Sequence, residues 1–323
     1  MSGISDLMSE CPLKQYIRDK FWVPNINKLK KNQIRYLTLY EPPAIDIRHF
    51  HKRGLIEYKD AIYRGVVGVT YNEEGYSKTI NNLQGRPELL KLGEMNKLLQ
   101  SEDKELISKF PFDVINLDFC NHIVNNYISD NLESIALITK HQKASKCEKY
   151  ILFVTSRTDR DPTGFKTSFI EFLKARINVN IKGNSEFRKK YNSLFGTKPP
   201  DRDNFLLIGI VKELANILSV QGYVIDDCEA VWLIRDNRSR QLDLLHLAFL
   251  VSLKKPNTSP KRFSEHGGGL EFSAVRILDE LIDNHVETIT EKKDSAQYEK
   301  MYGTYLDEIR DTNYELSIPA PTN

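Results

Sequence analysis

Asn116 and Asp118 are the residues whose types and spacing point most directly to chemistry. They stand two apart in FDVINLDFCN, a run whose apolar positions read as a buried strand. Side chains two apart on a strand project to the same face. An amide and a carboxylate facing inward from an apolar strand are costly unless they meet a partner. That partner is a ligand, a buried polar network or a helix terminus. Just beyond, Asn121 carries both a donor and an acceptor, which suits it to orient an exocyclic amine. Phe119 offers a ring that stacks on a flat base or fills a core. Cys120 is a nucleophile only as its thiolate, and no activating base stands beside it in the sequence.

The elements that position these residues alternate along the chain. IRYLTLY, GVVGVTY, PELLKLG, FDVINLD and KYILFVTSRTD read as strands, each followed by a stretch with helical spacing. Asn72 reads as a helix cap, with Glu73 and Glu74 in the first turn, where acids suit the helix dipole. MNKLLQSEDKELISKF reads as one helix. Such alternation implies βαβ units and a parallel sheet. The pattern then changes. DDCEAVWLIRD and QLDLLHLAFLVSLKKP are apolar runs joined by the short turn Asn237–Arg240, so they should run antiparallel.

The expected architecture is a doubly wound, mostly parallel, seven-stranded α/β sheet with a C-terminal antiparallel hairpin. Its divisions are an N-terminal extension (1–33), the α/β domain (34–255) and a linker, helix and polar tail (256–323). A polar, basic insertion is expected near 182–202. The basic run KLKKNQ in the extension reads as solvated surface.

That order of elements resembles class I S-adenosylmethionine-dependent methyltransferases. FDVINLDFCN resembles their fourth motif, a strand ending in an acid followed by an aromatic, and looks most like the tRNA guanine methyltransferase branch. The resemblance covers Ile34 to Lys255. It implies a ligand crevice beyond the carboxyl ends of the strands, near the point where the strand order reverses. S-adenosylmethionine is the implied cofactor, with Tyr40, Glu41, Glu73, Gly93, Glu94 and Phe119 as implied cofactor-binding positions. Glu41 would face the methionine amino group, and Gly93-Glu94 would meet the adenine amine. Asn116, Asp118 and Asn121 are the implied catalytic residues.

Two departures from the family pattern stand out. The turn after the first strand, YEPPAID, has no glycine, and its two prolines lack N–H donors. Where the family carries a ribose-binding acid after the second strand, this chain has Thr70.

Net charge is +2, so nucleic-acid binding would need a local patch. FRKKYNSLF supplies a candidate, with Arg188, Lys189 and Lys190 beside Tyr191; an amphipathic helix explains the same spacing. At the end of the fifth strand, Arg157 and Arg160 stand among Asp159 and Asp161, which suits either phosphate binding or internal pairing. The four cysteines form no CxxC pair, and no metal site is expected. HGGGL at His266 has no accompanying GxSxG elbow, which sets aside a hydrolase. No P-loop and no glycine fingerprint for a dinucleotide are present. The chain reads as soluble and cytoplasmic. The expected activity is methyl transfer to a nucleic-acid nitrogen or oxygen. The alternative is a methyltransferase-like scaffold without catalysis, a binding or assembly subunit with protein partners in a DNA-handling or defence system.

Overall fold

Strands buried on both faces read as near-continuous apolar runs, and the central strands of this chain obey that rule. In the computed structural model the described residues are 12–40, 44–81, 85–119, 123, 130–157, 167–196, 202–235, 242–254, 278, 281, 286–290 and 300. The strands are β1 (Tyr36–Leu39), β2 (Tyr58–Lys59), β3 (Ile62–Thr70), β4 (Arg86–Leu92), β5 (Val114–Asp118), β6 (Lys149–Arg157), β7 (Tyr223–Arg235), β8 (Leu242–Leu253) and β9 (Glu287–Thr290). From one edge to the other the sheet runs β4, β3, β1, β5, β6, β8, β7, β9, with β2 as a short antiparallel ribbon on the start of β3. Of these nine, β2 and β9 were not legible as strands. The pairs β3–β4, β1–β3, β1–β5, β5–β6 and β7–β9 are parallel, whereas β8 is antiparallel to both β6 and β7.

Among the described residues ten α-helical segments flank the sheet. They are α1 (Pro12–Tyr16), α2 (Val23–Asn27), α3 (Ile45–Lys52), α4 (Glu73–Asn81), α5 (Met95–Gln100), α6 (Lys104–Ile107), α7 (Asp130–Ala144), α8 (Thr167–Gly183), α9 (Ser185–Phe195) and α10 (Arg202–Val220). A π-helical stretch, Ile17–Trp22, joins α1 to α2. The expected single helix after β4 is two helices. Glu102 takes a left-handed conformation, and the Asp103 carboxylate accepts from the Leu106 N–H at 2.9 Å to start α6. Among the described residues no helix is long and apolar enough to cross a membrane.

Alternation along the strands divides the core into two layers. Leu37, Ile115, Leu117, Leu152, Val154, Leu247 and Phe249 face α5, α7, α8 and α10. Tyr36, Val114, Ile151, Phe153, Leu244 and Ala248 face α3 and the N-terminal helix. That helix is therefore core. Ile17, Phe21, Trp22 and Ile26 are all buried, and the Trp22 ring lies 5.6 Å from that of Phe153. The boundary drawn at residue 33 does not separate an appendage from the fold. Nor is the basic run simply solvated: Lys28 pairs with Asp227 and Glu229, and Lys31 with Asp113. The sequence reading of a helix around Leu270–Ile282 falls largely outside the described residues.

Weak acids are buried in both layers of this core. Burial pushes the hydroxyls of Tyr150 and Tyr223 up, and the Cys147 thiol up to about 11. Burial, then the nearby Asp46 carboxylate, raises Tyr36 well above its ordinary value. Each native group holds its proton to higher pH than the unfolded chain does. Their stabilising contribution is whole below about pH 9 and declines as pH rises further. Unfolding free energies measured in urea from about pH 8 to about pH 11 are expected to fall steadily. A flat profile would contradict the burial of these groups.

Candidate functional site

The strand order reverses between β1 and β5. From β1 the chain moves outward to β3 and β4, then returns to the other side of β1 to form β5 and β6. Loops at such a switch point diverge and leave a crevice at the carboxyl ends of the strands. Asn116 and Asp118 are on β5 at that point, with Thr38 of β1 in register with Asn116.

Asn116 is buried, and its amide orientation is set by a chain of hydrogen bonds. Asp46, in the first turn of α3, can only accept when ionised. It takes the Tyr36 hydroxyl proton at 2.6 Å and that of Thr38 at 3.3 Å. The Tyr36 oxygen must then accept, and it does so from Asn116 Nδ2 at 3.0 Å. The carbonyl end of the amide is thereby left over. Asn116 Oδ1 is buried and has no hydrogen-bond partner among the described residues.

Asp118 meets a residue from the far end of the sequence. Lys14 Nζ lies 2.5 Å from Asp118 Oδ2, with the lysine side chain 7% exposed and the aspartate 22%. Beside this pair the sheet carries a polar row. Asp118 is in register with Thr155 on β6, and Thr155 with His246 on β8. Thr155 Oγ1 and His246 Nδ1 are 2.9 Å apart, and His246 packs edge-on to Trp22. The N-terminal helix covers this row and is held by polar contacts. Gln15 bonds His49 of α3 at 3.1 Å, and Asn25 Nδ2 donates to Glu229 of β7 at 3.0 Å.

The remaining predicted positions divide into three sets. Glu41 and Asn121 lie outside the described residues, as do Pro42, Pro43, Cys120, Asp159 and Arg160. Tyr40 and Phe119 are packing residues. The Tyr40 hydroxyl accepts from Thr79 Oγ1 at 3.2 Å, and the ring lies against β3. A Cβ at Gly68 would come within 2.8 Å of Tyr40 Cβ, so the tyrosine's position requires glycine there. Phe119 is in the core layer on the face opposite Asp118. The third set is at the rim. Thr70 Oγ1 accepts from the Asn72 N–H at 3.1 Å and shapes the turn into α4, where Glu73 is exposed. Gly93, at φ +146°, donates to the Thr70 carbonyl at 2.8 Å, and exposed Glu94 pairs with Lys97.

On α9 the aromatic and basic residues take opposite sides. Phe187 and Tyr191 are buried and stack toward one another at 5.8 Å, which leaves neither ring to receive a base. Arg188 donates to the Ile181 and Lys182 carbonyls and so closes the end of α8. Lys189 is exposed.

Lys14, Tyr36, Asp46 and Thr155 were not singled out from sequence, and His246 was read only as a satisfied core or surface histidine of the second hairpin strand. For Thr155 and His246 a signal existed. Each is a polar residue interrupting an apolar strand, the feature that marked Asn116. Lys14 had none, because its partner is 104 residues away.

Residues 90–205, short of half the chain, match a family model described as PP_RS20740-like. No curated protein matches the sequence. Among solved structures, the chain is similar to a SAM-dependent methyltransferase from Methanosarcina mazei at 14% identity and a TM-score of 0.35. That match covers 72% of this chain and 98% of the other. It is also similar to a protein described as "putative hemolysin" from Streptococcus thermophilus at 9% identity and a TM-score of 0.36, over 81% of this chain and 75% of that one. At these scores neither likeness carries functional information.

Proposed function

We propose that this chain binds S-adenosylmethionine and transfers its methyl group to a nucleic-acid nitrogen or oxygen. One observation carries the reading: a buried carbonyl, Asn116 Oδ1, without a partner among the described residues, at the point where the strand order reverses. A buried acceptor left unpaired costs about 1–3 kcal/mol, and a donor on a ligand would remove that cost. The strand order supports the reading, because a parallel sheet with one reversed strand, β8, between β6 and β7 is the plan of class I methyltransferases.

The residues present fit such a cofactor at the β5 end through that spare acceptor. At the rim, Glu73 would accept from the ribose, since the Thr70 hydroxyl is already engaged. Gly93 and Glu94 would border the adenine, and Glu41, next to Tyr40, would reach the methionine end. The cofactor supplies an electrophilic methyl on a sulfonium. Asp118 would then act as an acceptor for the N–H or O–H of the methyl-accepting group and align its lone pair. Nucleic acid would be held by phosphate contacts from Lys189 and its basic neighbours, not by base stacking on α9.

A second reading is favoured by Lys14, which already sits on Asp118. In it the fold is a non-catalytic binding or assembly subunit. Calorimetry and thermal shift with S-adenosylmethionine and S-adenosylhomocysteine separate the two. Ligand at a hundred times its dissociation constant should add about 2.7 kcal/mol to stability. Absence of any shift with either compound at millimolar concentration eliminates the enzyme. For nucleic acid, Lys189→Gln is expected to lower the salt dependence of binding by a slope of about 0.9 for duplex DNA. An unchanged slope would place the phosphate contact elsewhere.

A further inference from the structure

Tyr36, Asp46 and Asn116 come from three elements, β1, α3 and β5, and are joined through a single hydroxyl. Tyr36 is fully buried and Asn116 is 2% exposed. The asparagine amide has two ends of nearly equal size, one a donor and one an acceptor, so packing alone does not choose between its two orientations. Charge chooses here. Ionised Asp46 can only accept, and it claims the Tyr36 proton at 2.6 Å. The Tyr36 oxygen is left with its lone pairs toward β5, and Asn116 meets it with Nδ2 at 3.0 Å. Turned over, the amide would set its carbonyl oxygen against those lone pairs with no proton between. Its NH2 group would then take the buried place that Oδ1 holds without a partner among the described residues.

We propose that Asp46 and Tyr36 are positioning residues that make the switch point an acceptor, so that it takes a ligand group carrying an N–H or O–H and disfavours one that offers only lone pairs. This rests on the methyltransferase reading, in which a ligand donor meets Asn116. An amine or hydroxyl satisfies the spare carbonyl, whereas an ether or an ionised carboxylate would face it lone pair to lone pair. Neither positioning residue touches the ligand in this account. Both act through the amide of Asn116, and the preference of the site originates in a carboxylate on α3 rather than on the strand that meets the ligand.

The test is calorimetric titration of the full chain with S-adenosylhomocysteine, in the wild type, Tyr36→Phe, Asp46→Asn, Asn116→Leu and the Tyr36→Phe/Asn116→Leu double variant. Phenylalanine keeps the ring contact with Phe50 at 5.3 Å and removes only the hydroxyl. The amide then has no preferred direction, and affinity is expected to fall about three- to tenfold, the equivalent of one lost hydrogen bond. Asparagine at 46 has the shape of aspartate and leaves Tyr36 in place, but it can donate as well as accept. The direction is no longer forced, and with half the molecules wrongly oriented affinity should fall about twofold or more. In the Asn116→Leu background the amide is gone, and Tyr36→Phe should cost no further affinity. General loosening of the site would instead weaken the double variant again by the full factor. That outcome, or unchanged binding in Tyr36→Phe, overturns the proposal and leaves the methyltransferase reading standing. If Tyr36→Phe does not fold, or Asn116→Leu binds too weakly to titrate, Asp46→Asn decides: wild-type affinity overturns the proposal, and the expected loss supports it. A wild-type chain that does not bind S-adenosylhomocysteine defeats the methyltransferase reading itself, and this inference with it.

Discussion

Trp22→Ala is expected to lower the unfolding free energy by about 3–5 kcal/mol, the usual range for deleting a buried tryptophan. Trp22 is 3% exposed and joins three elements. Its ring lies 5.6 Å from Phe153 on β6, 6.2 Å from Phe50 on α3 and 6.5 Å from His246 on β8. Small residues have no means of refilling that volume, because the strands on one side and α3 on the other are fixed by their own pairings. Domains are stable by roughly 5–15 kcal/mol, so this one change removes at least about a fifth of the total. Urea denaturation with an unchanged slope would report it cleanly. A loss under about 1 kcal/mol would mean that the N-terminal helix lies on the core without being part of it. The same helix carries Lys14, so the expected loss also measures how firmly that lysine is held at the site.

The role of this helix was hidden in the sequence for a physical reason. Its buried residues Ile17, Phe21, Trp22 and Ile26 do not keep one helical period. The π-helical stretch inserts an extra residue, seen in the Val23 N–H bonding to the Arg18 carbonyl five residues back. The apolar face is displaced by that step, and the pattern reads as irregular. Lys14, Gln15 and Arg18 add to the disguise, being polar residues that are buried. Composition alone assigns such a segment to the surface.

Elsewhere the local chemistry was plain. β5 and the strands around it stand out because they are apolar on both faces, and Asn72 was recognisable as a cap because its side chain accepts from the Gly75 N–H. Asn116 and Asp118 were conspicuous as polar residues on an apolar strand. The row from Asp118 through Thr155 to His246 is different. It exists only once β5, β6 and β8 are in register, and register between strands separated by helices is not written in any local stretch. The aromatic residues of α9 show the converse. Their spacing beside Arg188, Lys189 and Lys190 fits a stacking surface and a core stripe equally well, and only burial of Phe187 and Tyr191 decides for the stripe.

Asn116→Leu should separate what the fold needs from what the site needs. Leucine has the same branching as asparagine and no polar atoms, so it replaces a buried amide with a shape of similar size. In the folded chain the amide makes one hydrogen bond, from Nδ2 to Tyr36, while its carbonyl has no partner among the described residues. Losing the one bond costs about 0.5–1.5 kcal/mol, and removing the unsatisfied carbonyl returns a comparable amount. The Tyr36 hydroxyl keeps its bond to Asp46. Stability is therefore expected to remain within about 1 kcal/mol of the wild type. Binding is expected to behave differently. If the spare carbonyl receives a donor from the ligand, leucine leaves that donor buried and unpaired, and affinity for S-adenosylhomocysteine should fall about a hundredfold. Equal losses of stability and binding would make Asn116 a structural residue. Preserved stability with preserved binding would move the ligand away from the β1–β5 switch point. Only a stable protein that no longer binds fits a carbonyl kept unpaired for use.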